Sequence, residues 1–145
     1  MRVHASVAAM AEHSTASRLT TTPDADSELV DQWRLLLAKH SAVSCALEKA
    51  LQDGHNIGVS EFETLDRLVD EASGSYRMSD LSQDIYLSQS ALSRTVARLE
   101  RDHLVERNMC TSDRRSIFVC LTDTGRALHA DARKTHRAVL ASTLV

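Results

Sequence analysis

The chain has 145 residues, enough for one domain whose core needs neither disulfides nor metal. Aromatic residues make up 3% of it and there are a single Pro and four Gly, which favours long helices over a turn-rich β fold and leaves Leu, Val, Ala and Ile to build the core. A net charge of −3 does not mark the whole chain as a polyanion binder, so charge has to be followed locally.

Residues 1–25 are rich in Ala, Ser and Thr and carry no sustained apolar stripe; they are expected to form a disordered or weakly ordered arm. Arg2 is followed by His4, Ser6 and Glu12, which interrupt any signal-peptide core. The pattern then changes. Leu29, Trp33, Leu36, Leu37, His40, Val43, Leu47 and Leu51 recur at three and four residues, which predicts a helix over 26–54 that stops at Gly54. So long a stripe needs a partner surface.

Ser60-x-x-Glu63 has the form of a capping box, and Phe62, Leu65, Leu68, Val69 and Ala72 follow at helical spacing up to Ser73-Gly74-Ser75. A short helix is expected from Ser79 to Ile85. Ser88 then caps a further helix, with Leu87 and Leu92 as a hydrophobic staple and Leu92, Val96 and Leu99 as the buried stripe. Its other face holds Gln89, Ser90, Ser93, Arg94, Ala97 and Arg101, small, hydroxylated or cationic residues in place of the Glu–Lys pairs of an ordinary solvated face.

After Asp102 the apolar period falls to two, which predicts strands at Leu104–Cys110 and Ser116–Leu121 around a polar tip, Thr111-Ser112-Asp113-Arg114-Arg115. Thr122 caps a last helix whose stripe is Leu128, Ala132, Thr135, Val139 and Leu144. That stripe is still running at Val145, so 122–145 is expected to be a helix cut short, either naturally or by trimming. Between Arg77 and Arg115 stand seven Arg and six acidic residues, a local net of +1 within the acidic whole.

Helix, helix, short helix, tight turn, basic helix, Arg-tipped hairpin, helix is the order of a winged helix-turn-helix. The expected fold is therefore mainly α with a small β-hairpin wing, the reading domain at 55–121 being flanked by N- and C-terminal helices. An α-helix fits the major groove of B-DNA with its N-terminal residues nearest the base edges. Ser88, Gln89, Ser90, Ser93 and Arg94 could contact DNA there, with Arg98 and Arg101 further along, and Arg114 or Arg115 could enter the adjacent minor groove.

Leu92-Ser93-Arg94-Thr95-Val96-Ala97-Arg98-Leu99-Glu100-Arg101, continued to Arg107, resembles the recognition helix and first wing strand of MarR regulators. The run Asp113-Arg114-Arg115 followed by an apolar strand and Leu121-Thr122-x-x-Gly125 resembles their wing. His103 departs from the pattern, standing where the family commonly has Gly at the end of the recognition helix; a left-handed conformation is only moderately costly for His. The resemblance implies a homodimer formed by the 26–54 and 122–145 helices and bound to a pseudo-palindromic double-stranded operator. It also implies a wing stiffened by an Asp113–Arg115 pair, and repression relieved by a small-molecule effector. Trp33, Arg34, His40 and Phe62 are the candidate effector-pocket walls.

Two other readings follow from the residues. A winged module that binds protein instead of DNA fits the small local charge. A thiol sensor would use Cys45, with Lys49 and Arg34 as nearby cations. Cys45, Cys110 and Cys120 are an odd set without C-x-x-C spacing, which fits a reducing cytosol and a cytoplasmic protein. No Gly-rich phosphate loop, nucleophile elbow or H-E-x-x-H occurs, and the histidines are scattered, so neither an enzyme, a cofactor nor a metal site is expected. No apolar run approaches the roughly 20 residues that span a membrane.

Overall fold

A computed structural model describes residues 24–109 and 116–145. The helices are α1 (Ala25–His55), α2 (Val59–Asp70), α3 (Met78–Asp84), α4 (Gln89–Arg101) and α5 (Asp123–Thr143), and the strands are β1 (Ser75–Arg77), β2 (Val105–Met109) and β3 (Ile117–Leu121). Most of the expected N-terminal arm, together with Cys110 and the hairpin tip Asp113-Arg114-Arg115, lies outside the described residues.

The first helix runs through Gly54. Its stop is Asn56, in the left-handed conformation at φ 56°, where its N–H reaches the Gln52 carbonyl and its side chain accepts from Gln52 Nε2 at 2.9 Å. Asn is the usual substitute for Gly at such a cap. The capping frame of α2 also lies earlier than expected. Gly58, not Ser60, is the N-cap, and Glu61, not Glu63, turns back to accept from the Gly58 N–H at 3.1 Å. Glu48 of α1 accepts from the Val59 N–H at 2.9 Å, which ties the two helices at their junction.

Strand β1 was not expected. It is three residues long, and its backbone bonds go to β3, with Tyr76 opposite Val119. The described sheet has the order β1-β3-β2, and β2 pairs antiparallel with β3 from Val105↔Leu121 to Met109↔Ile117. Cys120 therefore stands opposite Glu106 on one side and Ser75 on the other.

Leu51, Ile57, Phe62, Leu65, Leu68, Leu81, Leu92, Val96, Leu99, Leu104, Val105, Val119 and Ala132 form one continuous core. Every helix and both longer strands contribute to it. The junction of α4, β2 and α5 is fixed by Thr122. Its hydroxyl donates to the Leu104 carbonyl at 2.9 Å and accepts from the Gly125 N–H at 3.0 Å. Gly125 has no alternative here, because a Cβ would run into the Leu104 carbonyl oxygen.

The stripe of α1 divides in two. Leu47 and Leu51 are buried, whereas Leu29, Trp33, Leu36 and Leu37 are exposed by 45–62%. On α5, two histidines that the apolar stripe did not include, His129 and His136, are buried against α2.

Candidate nucleic-acid interface

The helix-turn-helix is α3, the turn Ile85-Tyr86-Leu87-Ser88, and α4. Ser88 caps α4 as expected: its hydroxyl accepts from the Ala91 N–H at 3.1 Å. Leu92 is buried, and Leu87 packs against the same core, so the staple closes over the entry to the helix. At the other end, His103 sits at φ 60° and its N–H reaches the Glu100 carbonyl, while Leu104 N–H reaches Leu99. This is the left-handed helix stop expected at that position.

Burial of Leu92, Thr95, Val96 and Leu99 turns one side of α4 outward. Ser90, Arg94, Ala97 and Arg101 occupy that exposed side together. Arg94 has no ion pair among the described residues, and Arg101 has only a long contact of 3.7 Å with the exposed Asp102. The face thus presents two exposed guanidinium groups, one without an ion pair among the described residues and one with a single long one, flanked by small residues that let another surface approach.

Three expected contact residues are committed within the protein to differing extents. Arg98 leans to α2, where its Nε meets Glu61 Oε1 at 2.6 Å. The Gln89 amide donates to the buried Ser82 hydroxyl of α3 at 2.9 Å, which fixes the angle between the two helices. Ser93 is half-buried, and its carbonyl accepts from Arg107 at 3.2 Å.

Arg107 was not expected to matter. Extending from β2, its guanidinium donates to the Ser93 carbonyl and its Nε lies 3.8 Å from Glu100 Oε1, while its backbone N–H donates to Glu100 Oε2 at 3.3 Å. It therefore ties the wing to the helix. With Arg77, Ser79, Gln89, Ser93 and Ser116 it lines a cleft of about 320 Å³ between α4, β1 and the wing strands. Arg77, whose guanidinium lies 5.6 Å from the Phe118 ring centroid, brings a second cation to this cleft. The arginines themselves are visible in the sequence, but the placement of Arg77 depends on β1, which is too short to leave a periodic signal.

The four candidate effector-wall residues do not form one wall. Phe62 is fully buried in the core, its ring stacked on His136 at 4.3 Å and on His129 at 5.4 Å. His40 lines a cleft of about 240 Å³ with Leu36, Lys39, Val43 and Leu144. Trp33 and Arg34 are exposed further toward the start of α1, Arg34 beside Asp31 at 3.5 Å. Cys45 is exposed on α1. Of the cations expected near it, Lys49 pairs with Asp53 at 2.6 Å, which holds the ammonium above its ordinary value through that hydrogen bond and charge, and Arg34 is the one beside Asp31. Among the described residues no helix is long and apolar enough to cross a membrane.

The MarR family model matches residues 59–117, from the start of α2 to the start of β3. AbsC, a MarR family transcriptional regulator from Streptomyces coelicolor, is 30% identical, with 83% of this chain and 79% of that chain covered and a TM-score of 0.74. Sco3205 from the same organism, a MarR family transcriptional regulator solved in complex with DNA, is 28% identical over 83% of this chain and 74% of its own, with a TM-score of 0.76. CouR from Rhodococcus jostii RHA1, solved bound to p-coumaroyl-CoA, is 27% identical over 79% of each chain at a TM-score of 0.68. No curated protein matches the chain.

Proposed function

The chain belongs to the MarR family of transcriptional regulators, and on that premise we propose that it is a homodimeric repressor that binds a pseudo-palindromic operator through α4 and the wing. The observation that carries this reading is the outward side of α4. Arg94 and Arg101 stand exposed there alongside Ser90 and Ala97, behind a helix N-terminus capped by Ser88. In a major groove, Ser90 and Arg94 meet base edges, Arg101 meets backbone phosphate, and Ser88 with the helix N-terminus meets a phosphate at the groove edge. Gln89 and Ser93 line the adjoining cleft, where Arg77 and Arg107 add positive charge. Arg98 serves the helix's attachment to α2. Arg114 or Arg115 reaches the neighbouring minor groove from the wing tip, with Asp113 bracing it. The likeness to Sco3205, solved in complex with DNA, supports the same mode here.

The dimer is formed by 26–54 and 122–145 of two copies, which covers the exposed apolar side of α1 and sets the two α4 helices roughly one turn of DNA apart. A small-molecule effector binds beside that interface, in the mostly apolar cleft at His40, with Trp33 and Arg34 of the same helix completing the wall in the dimer. CouR, with its bound acyl thioester, supports a ligand-responsive reading. The protein acts in the cytoplasm and performs no catalysis.

The test is binding to duplexes enriched from a random-sequence pool, measured across a salt series. Affinity for the enriched duplex falls steeply with salt, because phosphate contacts release counterions. A chain that enriches no duplex at low salt is a protein-interaction module instead.

A further inference from the structure

Tyr86 stands out on two independent counts. It is 94% exposed, the most open aromatic side chain described, and its φ is +57°. The turn around it is a regular helix stop: Tyr86 N–H reaches the Gln83 carbonyl at 3.4 Å and Leu87 N–H reaches Ser82 at 3.0 Å. That bonding pattern places Tyr86 at the left-handed position where Gly is favoured and a bulky side chain is disfavoured. Its neighbours on both sides, Ile85 and Leu87, pack against the core. The backbone is therefore held from both sides, and the phenol is pushed outward from a fixed point two residues before Ser88.

The helix stop sets the backbone of Tyr86, but among the described residues nothing buries its ring. We propose that Tyr86 is a DNA-contacting residue whose hydroxyl donates to a backbone phosphate at the edge of the major groove entered by α4. This rests on the reading of α4 as the recognition helix. The chemistry suits the place. A phenol is a neutral donor on a stiff two-torsion arm, and protein–DNA contacts to phosphate include tyrosine hydroxyls. The helix N-terminus beside it favours the same anion. Strained backbone positions cluster at functional surfaces, and unlike Asn56 and His103, which also take positive φ at helix stops, Tyr86 holds an almost fully exposed aromatic ring there.

The experiment compares the full chain with Tyr86→Gly and Tyr86→Phe in thermal unfolding and in binding to an enriched duplex over a salt series. Tyr86→Gly unfolds at a higher temperature than the parent, because the left-handed strain is gone, yet binds roughly tenfold or more weakly, the scale of one hydrogen bond to a charged group. Tyr86→Phe keeps the parent's stability and loses most of the same binding. Its sequence preference and salt slope stay those of the parent, because the lost contact is neutral and touches no base. Parent-level binding by either variant overturns the assignment, and a Tyr86→Gly chain that is no more stable overturns the strain argument beneath it. A parent chain that binds no duplex overturns the regulator reading itself, which a loss confined to the variants does not.

Discussion

Arg137 donates to His136 Nδ1 at 2.6 Å, and this contact fixes the protonation state of a buried histidine. A guanidinium has donors only, so Nδ1 must carry its lone pair and the ring proton must sit on Nε2, which faces Glu63 Oε1 at 3.4 Å. Arg137 also bridges to Asp66 Oδ2 at 3.3 Å, and Asp66 Oδ1 meets His129 Nε2 at 2.7 Å. Two histidines of α5 are thereby held to two acids of α2, with the Phe62 ring stacked against both imidazoles. Protonating His136 would set an N–H against the N–H of Arg137 and push apart the groups that join α5 to α2.

This arrangement predicts a loss of stability in mild acid. Burial, followed by the charge of Arg137, holds His136 below its ordinary value of 6.5, against the opposing pull of Glu63 and Asp66. The unfolded chain then binds the proton more tightly than the folded one, so stability falls as pH drops below 6.5, by at most about 1.4 kcal/mol per pH unit for this one group. Burial alone would raise Asp66, but the His129 hydrogen bond and Arg137 outweigh it and hold the carboxyl below its ordinary 3.8, which adds a second fall beneath that pH. Denaturant unfolding of the parent and of His136→Asn at a series of pH values checks the first step. The variant is less stable near neutrality but has a shallower decline below pH 6.5. Parallel declines would remove His136 as the titrating group.

Gly125 and Gly58 make a matched pair for a stability test. A Cβ at Gly125 meets the backbone carbonyl of Leu104, which cannot swing aside, whereas a Cβ at Gly58 meets only the carboxylate end of Glu48. Gly125→Ala should cost more than about 2 kcal/mol, in the range of a strained or overpacked core site. Gly58→Ala should cost about 1 kcal/mol or less, because Glu48 can turn away at the expense of its bond to Val59 N–H. Equal midpoints of urea unfolding for the two variants would contradict this order.

The features legible in the sequence are those set by local chemistry. Ser88 and Thr122 cap their helices because a hydroxyl in front of an apolar stripe satisfies an N–H group wherever the helix packs. His103 takes the left-handed conformation because the chain must turn there from α4 into β2. The features that escaped depend on partners distant in the chain. Strand β1 is a strand only because β3 pairs with it. Glu61, not Glu63, caps α2 because Arg98 of α4 holds its other oxygen while Glu63 faces His136. Phe62 looks like a pocket wall in sequence, but the histidines of α5 fold over it.

Arg94 and Arg98 lie one turn apart and should fail in opposite ways. Arg98→Ala removes the partner of the buried Glu61 and should cost about 1 kcal/mol of stability, discounted because the arginine side chain is 45% exposed. It should leave the salt slope of DNA binding near that of the parent. Arg94→Ala, with no partner to lose among the described residues, should leave stability within about 0.5 kcal/mol. It should weaken binding, with a salt slope lower by about one if the guanidinium meets phosphate, or with one base preference relaxed if it meets a guanine. Unfolding curves and salt-titrated binding of the two variants decide it. A salt slope that drops for Arg98→Ala would return that residue to the DNA-facing set.

Leu29, Trp33, Leu36 and Leu37 leave an apolar strip on α1 that a second copy would cover, and Leu144 extends it from α5. Apolar burial stabilises by roughly 25 cal/mol per Å², so a charge placed in the middle of the strip should cost the dimer several kcal/mol, through both lost burial and a desolvated carboxylate. Leu36→Glu is the informative change: it is 60% exposed in the single subunit, so folding of the subunit should survive. Sedimentation should show a monomer at concentrations where the parent is a dimer, with little change in helix content. Binding to a two-half-site duplex should drop to the level of one half-site, since the two recognition helices are no longer linked. A variant that stays dimeric would place the interface elsewhere on the subunit.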